Sequence, residues 1–365
     1  MKSFFKGNKR TFQTGSKNMI KKSSNGFLPQ KAGIIYSDVK RSYFPTMAQY
    51  ITEKNAFSDA VVIGNFIKKL GINIKYYPGN ASLAEKLRRY RPQVVINLVG
   101  SVKGNEYLAS GIPGILEILD IPYTGTGILG ESLSYNKFLV KKLFEQNGVP
   151  IPRYQLFNSS SDPIDPTLRY PLISKLNEIH GSVEITKDAV SENEKELRKR
   201  LRFLINTYEQ PVLVEEFIVG REITAILLEG LNKKVYLAEK IFNNQENSKY
   251  SYVSFDMQWL PENNNAISYQ KFKDPLLTEY VKRAFEITDM YDYGKFDIRL
   301  DNSGRYYFLD SNSNPFLGPK ETGSALGAIL DLYGVSFSLV LKRLLLNTVR
   351  DAAGKKLLPF TNVKS

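Results

Sequence analysis

The side chains with the greatest chemical potential lie in one segment, GKFDIRLDNSGRYYFLDSNSNP at 294–315. Side chains alternate between the faces of a β-strand, so the first half of this segment presents three charged groups on one face. These are Lys295, Asp297 and Arg299. The second half presents three oxygen-bearing groups in the same way, and a tight turn joins the two halves. These are Asp310, Asn312 and Asn314.

Two carboxylates and an amide beside several cations indicate a magnesium site suited to phosphate groups. Carboxylate and amide oxygens are hard ligands, and Mg²⁺ commonly joins protein carboxylates to substrate phosphates. A charged face on a solvated hairpin is the other explanation, and for a single aspartate it would be the better one. Two alternating triads joined by a tight turn favour the metal site.

The amino-acid composition excludes several other kinds of metal site and catalytic residue. The 365 residues include no cysteine, which excludes disulfides, thiolate zinc sites, iron–sulfur clusters and a cysteine nucleophile. There is one histidine, His180, so a histidine metal cluster is excluded and most serine–histidine hydrolase arrangements lack partners. His180 could act as a base, although a lone loop histidine is more often incidental. Catalysis otherwise relies on carboxylates, lysines, arginines, hydroxyls and backbone groups.

The formal charge of +13 is concentrated at the start of the chain. Residues 1–31 hold eight basic residues and no acid. Such a segment buries little apolar surface, so we expect residues 1–30 to form a basic, flexible tail. A basic, acid-free start also suits an organelle transit peptide or a nucleic-acid arm. No run of about 18 apolar residues occurs, which argues against a membrane-spanning helix.

The elements that must position these groups follow an α/β pattern. Short apolar runs alternate with helical periods in the first part of the chain, which predicts a mainly parallel sheet with helices on its faces. Further along we predict one helix over 131–147, a strand over 183–186, and a functional loop or lid over the polar stretch 242–275. The predicted units are a tail (1–30), an N-terminal α/β domain (31–126), a central subdomain (127–210), a C-terminal subdomain (211–350) and a C-terminal tail (351–365).

Polar residues near predicted strand ends are further candidates. Lys175 ends an apolar strand, where a buried lysine would need an anionic partner. Glu215 and Glu222 could accept hydrogen bonds from an amine and a ribose, or could be ordinary surface glutamates. The loop HGS at 180–182 could supply backbone N–H groups to a phosphate, or could be a plain hairpin loop. Lys137 alone would be an ordinary surface lysine.

The order of these motifs resembles the ATP-grasp superfamily, and within it the D-alanine–D-alanine ligase family. Five separated blocks carry the resemblance: DIPYTGTG (120–127), SYNKFLVKKLFEQNGVPIPRY (134–154), PLISKLNEIHGSVEI (171–185), VLVEEFIVGREIT (212–224) and FDIRLDNSGRYYFLDSNSNP (296–315). The resemblance implies an ATP-grasp fold of the α/β (α+β) class. In this fold an N-terminal parallel-sheet domain precedes two ATP-grasp subdomains that clamp the nucleotide.

The resemblance also implies roles for individual residues. Lys137 and Lys175 match lysines that contact the phosphates of ATP. Glu215 matches the adenine-side acid, and Glu222 the ribose-side acid. The implied ATP-binding residues are Lys137, Lys175, Ser182, Glu215, Glu216, Ile218 and Glu222. The implied metal ligands, for two Mg²⁺ ions or alternatively Mn²⁺, are Asp297, Asp310 and Asn312. The implied catalytic residues are Lys295, Arg299 and Ser182.

Departures from the family pattern concentrate in the half that selects the amino acids. Lys295 stands where the family usually has arginine, and Asp310 stands where it usually has glutamate. Phe316 replaces a glycine whose N–H helps the oxyanion, and Gly181 replaces a hydroxyl that engages the second D-alanine. The glutamate-bearing text that receives the first D-alanine is not recognisable in 37–57. Substrates other than D-alanine are therefore favoured.

The implied reaction joins a carboxylate to an amine. A substrate carboxylate attacks the γ-phosphate of ATP to form an acylphosphate, and an amine then displaces phosphate. We expect amino acids or a short peptide as substrates, ATP and Mg²⁺ as cofactors, and a cytoplasmic protein. A homodimer is the state that the family suggests, and neither a membrane nor a nucleic acid is expected as a partner. The alternatives are a non-catalytic ATP-binding protein with a basic docking tail, and a nucleic-acid binder that only the tail supports.

Overall fold

The computed structural model of the protein describes residues 28–243, 249–260 and 266–360. In these residues twelve strands form three sheets, one parallel and two antiparallel, with helices between and upon them. This mixture confirms the predicted α/β (α+β) class. The basic tail predicted over 1–30 lies almost entirely outside the described residues.

The first sheet confirms the parallel sheet predicted for the N-terminal region. Its strands run in the order β2-β1-β3: β1 (Lys31–Ser37), β2 (Asn73–Gly79) and β3 (Val94–Leu98). Parallel neighbours need crossover connections, which here contain α1 (Met47–Glu53), α2 (Ala56–Lys68) and α3 (Leu83–Tyr90). Ile34 packs with residues of α2, whereas Ile35 packs with residues of α3. Burial on both faces explains why β1 is an apolar run and not an alternation.

Three helices connect the first sheet to the second: α4 (Gly111–Ile118), α5 (Ile128–Ser134) and α6 (Lys137–Gln146). The prediction of one helix over 131–147 is therefore wrong. The backbone of Asn136 is extended, and its Oδ1 accepts a hydrogen bond from the backbone N–H of Leu139 at 3.0 Å. Asn136 thereby separates the two helices and caps the second. Lys137 becomes the first residue of α6.

The second sheet is antiparallel and has the order β4-β7-β5-β6: β4 (Tyr154–Phe157), β5 (Leu172–Leu176), β6 (Val190–Ser191) and β7 (Val212–Glu216). Helix α7 (Glu194–Tyr208) covers it with an apolar stripe that includes Leu197, Leu201 and Leu204. The predicted boundary between 210 and 211 needs correction. Strand β7 pairs with β4 and β5, so it belongs to this central sheet and not to the C-terminal subdomain.

The third sheet is antiparallel and has the order β10-β9-β8-β11-β12: β8 (Gly220–Leu228), β9 (Lys234–Phe242), β10 (Ile267–Phe272), β11 (Tyr293–Asp301) and β12 (Tyr306–Asn312). Alternation along β8 sends Ile223 into one core cluster and Ile226 into another on the opposite face. Glu222 shares the face of Ile226 but lies at the other end of the strand. One end of this face is therefore polar, and the rest is core.

The loop after β5 is held in shape by helix α7. Ser182 and Glu184 have φ values of +55° and +64°, so the strand predicted over 183–186 is wrong. Arg200 donates a hydrogen bond to the backbone oxygen of Glu184. The Tyr208 hydroxyl donates to Glu184 Oε1 at 2.8 Å and lies 3.0 Å from the Thr46 hydroxyl, which caps α1.

The stretch 242–275, predicted as a loop or lid, contains more regular structure than expected. It holds helix α8 (Phe255–Trp259) and strand β10. Backbone N–H of Phe255 donates to the oxygen of Ile185 at 2.9 Å, so α8 lies directly against the loop after β5. Residues 244–248 and 261–265 of this stretch lie outside the described residues.

Three C-terminal helices complete the core: α9 (Pro275–Ile287), α10 (Ala325–Leu332) and α11 (Phe337–Ala352). Helix α9 packs on one face of the third sheet, and α10 and α11 pack on the other. The described part of the predicted tail 351–365 is not free. Phe360 is buried in the core, and the N–H of Leu358 donates to Asn347 Oδ1 at 2.8 Å.

Within the part of the chain that the structure describes, no single helix combines the length and hydropathy needed to cross a membrane. The bent pair α10–α11 meets that test by length and composition alone.

Candidate active site

One buried lysine joins the central sheet to the third sheet. Lys141 of α6 donates to the backbone oxygen of Phe308 in β12 at 2.6 Å. The same Nζ lies 2.5 Å from Glu215 Oε1 in β7, and both side chains are almost fully buried. Lys141 therefore links β7 of the central sheet to β12 of the third sheet. Lys141 could not be recognised from the sequence, because its position in a helix alone gives no sign of burial.

Glu215, predicted as the adenine-side acid, lies between two lysines. Lys175 of β5 pairs with its second oxygen. Burial alone would raise the pKa of Glu215, but the charges of Lys141 and Lys175 outweigh burial and hold the pKa below its ordinary value. Glu215 therefore keeps its charge and orders both lysines. Its contact with an adenine stays a prediction.

Lys137 and Lys175 come together, as their predicted shared role requires. Lys137 is buried at the start of α6, where its Nζ donates to the backbone oxygen of Ile179 at 2.7 Å. Burial lowers the pKa of Lys137, and the nearby charge of Lys175 lowers it further. Two partly buried cations that repel one another favour a polyanion between them. The chemistry fits the phosphates of a nucleotide.

A row of ion pairs crosses the polar end of the third sheet. Lys240 of β9 lies 2.6 Å from Glu222 Oε1 and 3.0 Å from Asp297 Oδ1. Burial alone would lower the pKa of Lys240, but the two carboxylates more than offset it and raise the pKa. Glu222, predicted as the ribose-side acid, also binds Arg299 at 3.0 Å. Lys240 could not be recognised from the sequence, because it lies within an otherwise unremarkable strand.

Arg299, predicted as catalytic, connects the sheet to the segment before α8. Its guanidinium donates to the backbone oxygens of Gly220 at 2.9 Å and Ser251 at 2.5 Å. It also lies over the ring of Phe217, with 5.4 Å to the ring centre. These contacts hold Arg299 between the sheet and the segment before α8. Its catalytic role stays a prediction.

The three predicted metal ligands lie on neighbouring positions of one hairpin. Asp297 in β11 faces Asp310 in β12, and Lys295 faces Asn312, before a bulge after Asp297 shifts the register. Phe296 lies in the core on the other face, so strand alternation places these groups as predicted. Lys295 pairs with Asp297.

The donor set suits Mg²⁺. Burial alone would raise the pKa values of Asp297 and Asp310, but nearby lysines hold both below their ordinary value, so both stay charged. Asn312 Oδ1 accepts one hydrogen bond, from Asn314 N at 2.9 Å, and retains a second lone pair. No group of three or more His, Asp or Glu side chains arranged for a metal occurs in the described ranges. Two carboxylates and one amide, completed by phosphate and water, are what the chemistry of Mg²⁺ requires.

The predicted phosphate-covering loop is closed by α8. Ser182 Oγ donates to Gln258 Oε1 at 3.0 Å. Trp259 Nε1 donates to the backbone oxygen of Gly181 at 2.7 Å. The Tyr252 hydroxyl donates to the oxygen of Thr186 at 2.8 Å. These bonds hold the segment before and within α8 as a cover on the loop.

The remaining predicted ATP-binding residues lie at the end of β7 and just beyond it. Glu216 Oε1 accepts a hydrogen bond from the backbone N–H of Arg169, in the loop before β5, at 3.0 Å. Ile218 is half-buried beyond it. Between them, the Phe217 ring meets the ring of Tyr250 at 5.0 Å. The side of the site next to Ile218 is therefore apolar and aromatic.

A buried carboxylate that the sequence analysis missed lies in the N-terminal region. Glu53 ends α1 close to Ser37 and Ser101, and its Oε2 is buried without a hydrogen-bond partner among the described residues. Burial raises the pKa of Glu53 to about 7, and the charge of Glu106 contributes. The neighbouring residue Thr52 lies beside Gly181, where a side-chain Cβ would be 3.1 Å from Thr52 Cγ2. Glu53 is one of only two acids in 37–57, and this was the one available signal.

Comparisons with known proteins agree with this geometry. The family model described as "D-ala D-ala ligase C-terminus" matches residues 143–346, more than half of the chain. The chain belongs to the D-alanine–D-alanine ligase-like family of ATP-grasp proteins. A D-alanine–D-alanine ligase of Carboxydothermus hydrogenoformans is 27% identical over 259 residues, which cover 68% of this chain and 79% of that protein. An uncharacterised protein of Sinorhizobium fredii, y4sG, is 26% identical over 311 residues, covering 82% and 88%.

The fold itself is that of a solved member of the family. A D-alanine–D-alanine ligase from Bacillus anthracis, solved in complex with ATP, superposes with a TM-score of 0.64 at 18% identity. The superposition covers 88% of this chain and 97% of that chain. The ATP-grasp fold expected from the sequence is therefore confirmed, and its ligase-family relatives support a ligase.

Proposed function

We propose that this protein is an ATP-dependent carboxylate–amine ligase that forms a peptide-like bond through an acylphosphate and releases ADP and phosphate. One observation carries the proposal. Lys137, which is buried, and Lys175, which is partly buried, stand near a hairpin on which Asp297, Asp310 and Asn312 share a face. Cations and metal ligands on two sides of one cleft suit a triphosphate whose terminal group is transferred.

The residues of the proposed site would have distinct roles in binding and catalysis. Lys137 and Lys175 neutralise phosphate oxygens, and Glu215 keeps Lys175 in place. Asp297, Asp310 and Asn312 would hold Mg²⁺, which when bound neutralises charge that develops on the transferred phosphoryl group. The cover formed by Trp259 on the loop at 180–182 would exclude water, which would otherwise hydrolyse an acylphosphate.

Glu53 is the candidate residue for binding the ammonium group of the amine substrate. A buried carboxylate with a free oxygen is a place for an ammonium group, because a paired charge relieves the cost of burial. D-alanine is one candidate, since relatives carry the name D-alanine–D-alanine ligase. Gly181 and Phe316 depart from the family pattern at positions that contact the amino-acid substrates, so other amino acids or a short peptide are favoured over D-alanine.

Phosphate release from ATP and Mg²⁺ tests the proposal. The purified full-length chain would be assayed with D- and L-amino acids and dipeptides, singly and in pairs. Turnover that requires one particular pair is the expected result. ATP binding without turnover for any pair would instead support the non-catalytic alternative.

Asp310→Asn tests the metal site in the same assay. Loss of the negative charge of this ligand should weaken metal binding and reduce turnover by roughly 100-fold or more, because the metal supplies several kcal/mol of charge stabilisation. Asp331→Asn is the matched control, since Asp331 is exposed and pairs with Lys320 on the surface. Equal activity of the two variants would remove Asp310 from the site.

A further inference from the structure

The one histidine of the chain is held by a carboxylate from another part of the fold. His180 Nδ1 lies 2.9 Å from Glu106 Oε2. The backbone N–H of His180 also donates to both oxygens of Glu106, at 3.1 Å each. Glu106 precedes the short helical turn Tyr107–Ser110 in the N-terminal region, 74 residues earlier in the chain. One carboxylate therefore orients both the ring and the backbone of His180.

This contact determines which ring nitrogen carries the proton. A carboxylate that accepts two backbone contacts acts as an acceptor, so Nδ1 must donate to it. Nε2 then keeps its lone pair. Among the described residues, no group hydrogen-bonds to Nε2, although the atom is buried. A buried polar atom without a partner is uncommon and calls for a functional explanation.

Residues from the proposed phosphate-binding region and from the proposed ammonium-binding region both surround His180. Asp310 lies close enough to interact electrostatically with His180. Lys137 binds the backbone oxygen of Ile179, the residue before His180. The ring of Tyr135 meets the imidazole edge to face at 5.5 Å. Glu53, with its free buried oxygen, lies within electrostatic reach of Glu106. The imidazole thus stands between the phosphate-binding groups and the proposed ammonium site.

We propose that His180, oriented by Glu106, is the general base that activates the attacking amine. This inference rests on the proposed ligase function and adds a residue to it. An ammonium group has no lone pair, so it must lose a proton before it can attack a carbonyl carbon. Nε2 is the acceptor for that proton, and the Glu106 carboxylate stabilises the imidazolium that forms.

The step balances in protons and electrons. The substrate ammonium gives one proton to His180 Nε2 and becomes a neutral amine. The amine lone pair forms the new C–N bond to the acylphosphate carbon. The bond between the acyl carbon and the oxygen that bridges it to phosphorus then breaks, and its electron pair leaves with the phosphate. The second amine proton goes to the departing phosphate, and His180 returns its proton to solvent.

Hydroxylamine as the attacking amine distinguishes a general-base role of His180 from a structural role. It is already neutral in neutral water, so it captures an acylphosphate without the help of a base. His180→Gln should lower amide formation by about 10²–10⁴-fold, the usual contribution of a general base. Hydroxamate formation with hydroxylamine, in the presence of ATP, Mg²⁺ and the carboxylate substrate, should stay near the wild-type rate. Lys187→Gln, an exposed change beyond the same loop, is the control.

Each outcome of the comparison has one meaning. Equal loss of amide and hydroxamate formation, or loss of neither, would overturn the base assignment. Absence of hydroxamate from the wild-type protein with every amino acid and dipeptide of the panel would instead count against the ligase function. The acid limb of the kcat/KM profile should disappear in His180→Gln, and Glu106→Gln should show a smaller loss of amide formation.

A second measurement needs no substrate. Because the chain has one histidine, ¹⁵N-histidine labelling gives one pair of ring nitrogen signals. The neutral ring should show a protonated Nδ1 and an unprotonated Nε2. A neutral ring protonated at Nε2 would overturn the proposal, because that nitrogen could then accept no proton.

Discussion

Replacing Lys141 by methionine should destabilise the protein far more than the same change at its neighbour Lys142. Lys141 is 2% exposed and pairs with Glu215, which is completely buried. Removal of one partner of a buried ion pair costs about 3–5 kcal/mol, because a charge is left buried. Lys175 still pairs with Glu215, so we expect a loss near the lower limit, about 3 kcal/mol. Lys142 is half-exposed, and its surface pair with Glu145 contributes at most about 1 kcal/mol.

Urea unfolding of the full chain measures the difference. Trp259 is the one tryptophan of the chain, and its fluorescence reports on the cover beside the loop at 180–182. A loss of about 3 kcal/mol is a large part of the 5–15 kcal/mol that is typical of folded domains. The midpoint for Lys141→Met should therefore fall clearly below that for Lys142→Met.

A double variant tests whether the buried charge is the cause. Glu215→Gln makes the partner neutral, so the double change Lys141→Met with Glu215→Gln should cost less than the two single losses added together. Additive losses would refute the reasoning that a stranded charge causes the effect. Equal midpoints for Lys141→Met and Lys142→Met would refute it as well.

Two further predictions concern the amine side and the cover. Burial raises the pKa of Glu53 from 4.5 to about 7, so the folded state holds the proton more tightly than the unfolded state. The stability that comes from this tighter proton binding is complete below pH 4.5 and is lost as pH rises through about 7. Glu53→Gln should therefore flatten the fall in melting temperature between these two pH values. An unchanged dependence of melting temperature on pH would contradict the raised pKa of Glu53. Trp259→Phe removes the hydrogen bond to Gly181 and should raise KM for ATP by roughly fivefold, equivalent to about 1 kcal/mol, with little change in kcat. An unchanged KM in steady-state assays would show that the cover does not need this bond.

The hairpin that carries the predicted metal ligands could be recognised from the sequence because its signal is local. Strand alternation and one turn determine that Asp297 and Asp310 share a face, and the structure places them opposite one another. The parallel first sheet was predicted for the same reason, since alternating strands and helices are visible in short windows. The break between α5 and α6 was also local, at Asn136, but a continuous helical period concealed it.

The buried partners could not be predicted because they depend on distant parts of the chain. Lys141 meets Phe308 across 167 positions, and Lys240 meets Asp297 across 57. Glu53 acquires its environment from the ends of two other segments of the N-terminal region. The assignment of β7 to the wrong subdomain has a similar cause, because strand pairing, not chain order, decides which sheet a strand joins.

The hydroxyl of Tyr208 has a consequence for how the two halves of the site communicate. It binds Glu184 in the loop that contains Ser182, and it also meets Thr46, the residue that caps α1. Helix α1 ends at Glu53. The loop that we propose to cover the phosphates and the helix that ends at the proposed ammonium-binding residue therefore both contact one oxygen atom, so displacement of one would strain the other. We expect nucleotide and amine binding to be thermodynamically linked, each increasing affinity for the other by the same factor.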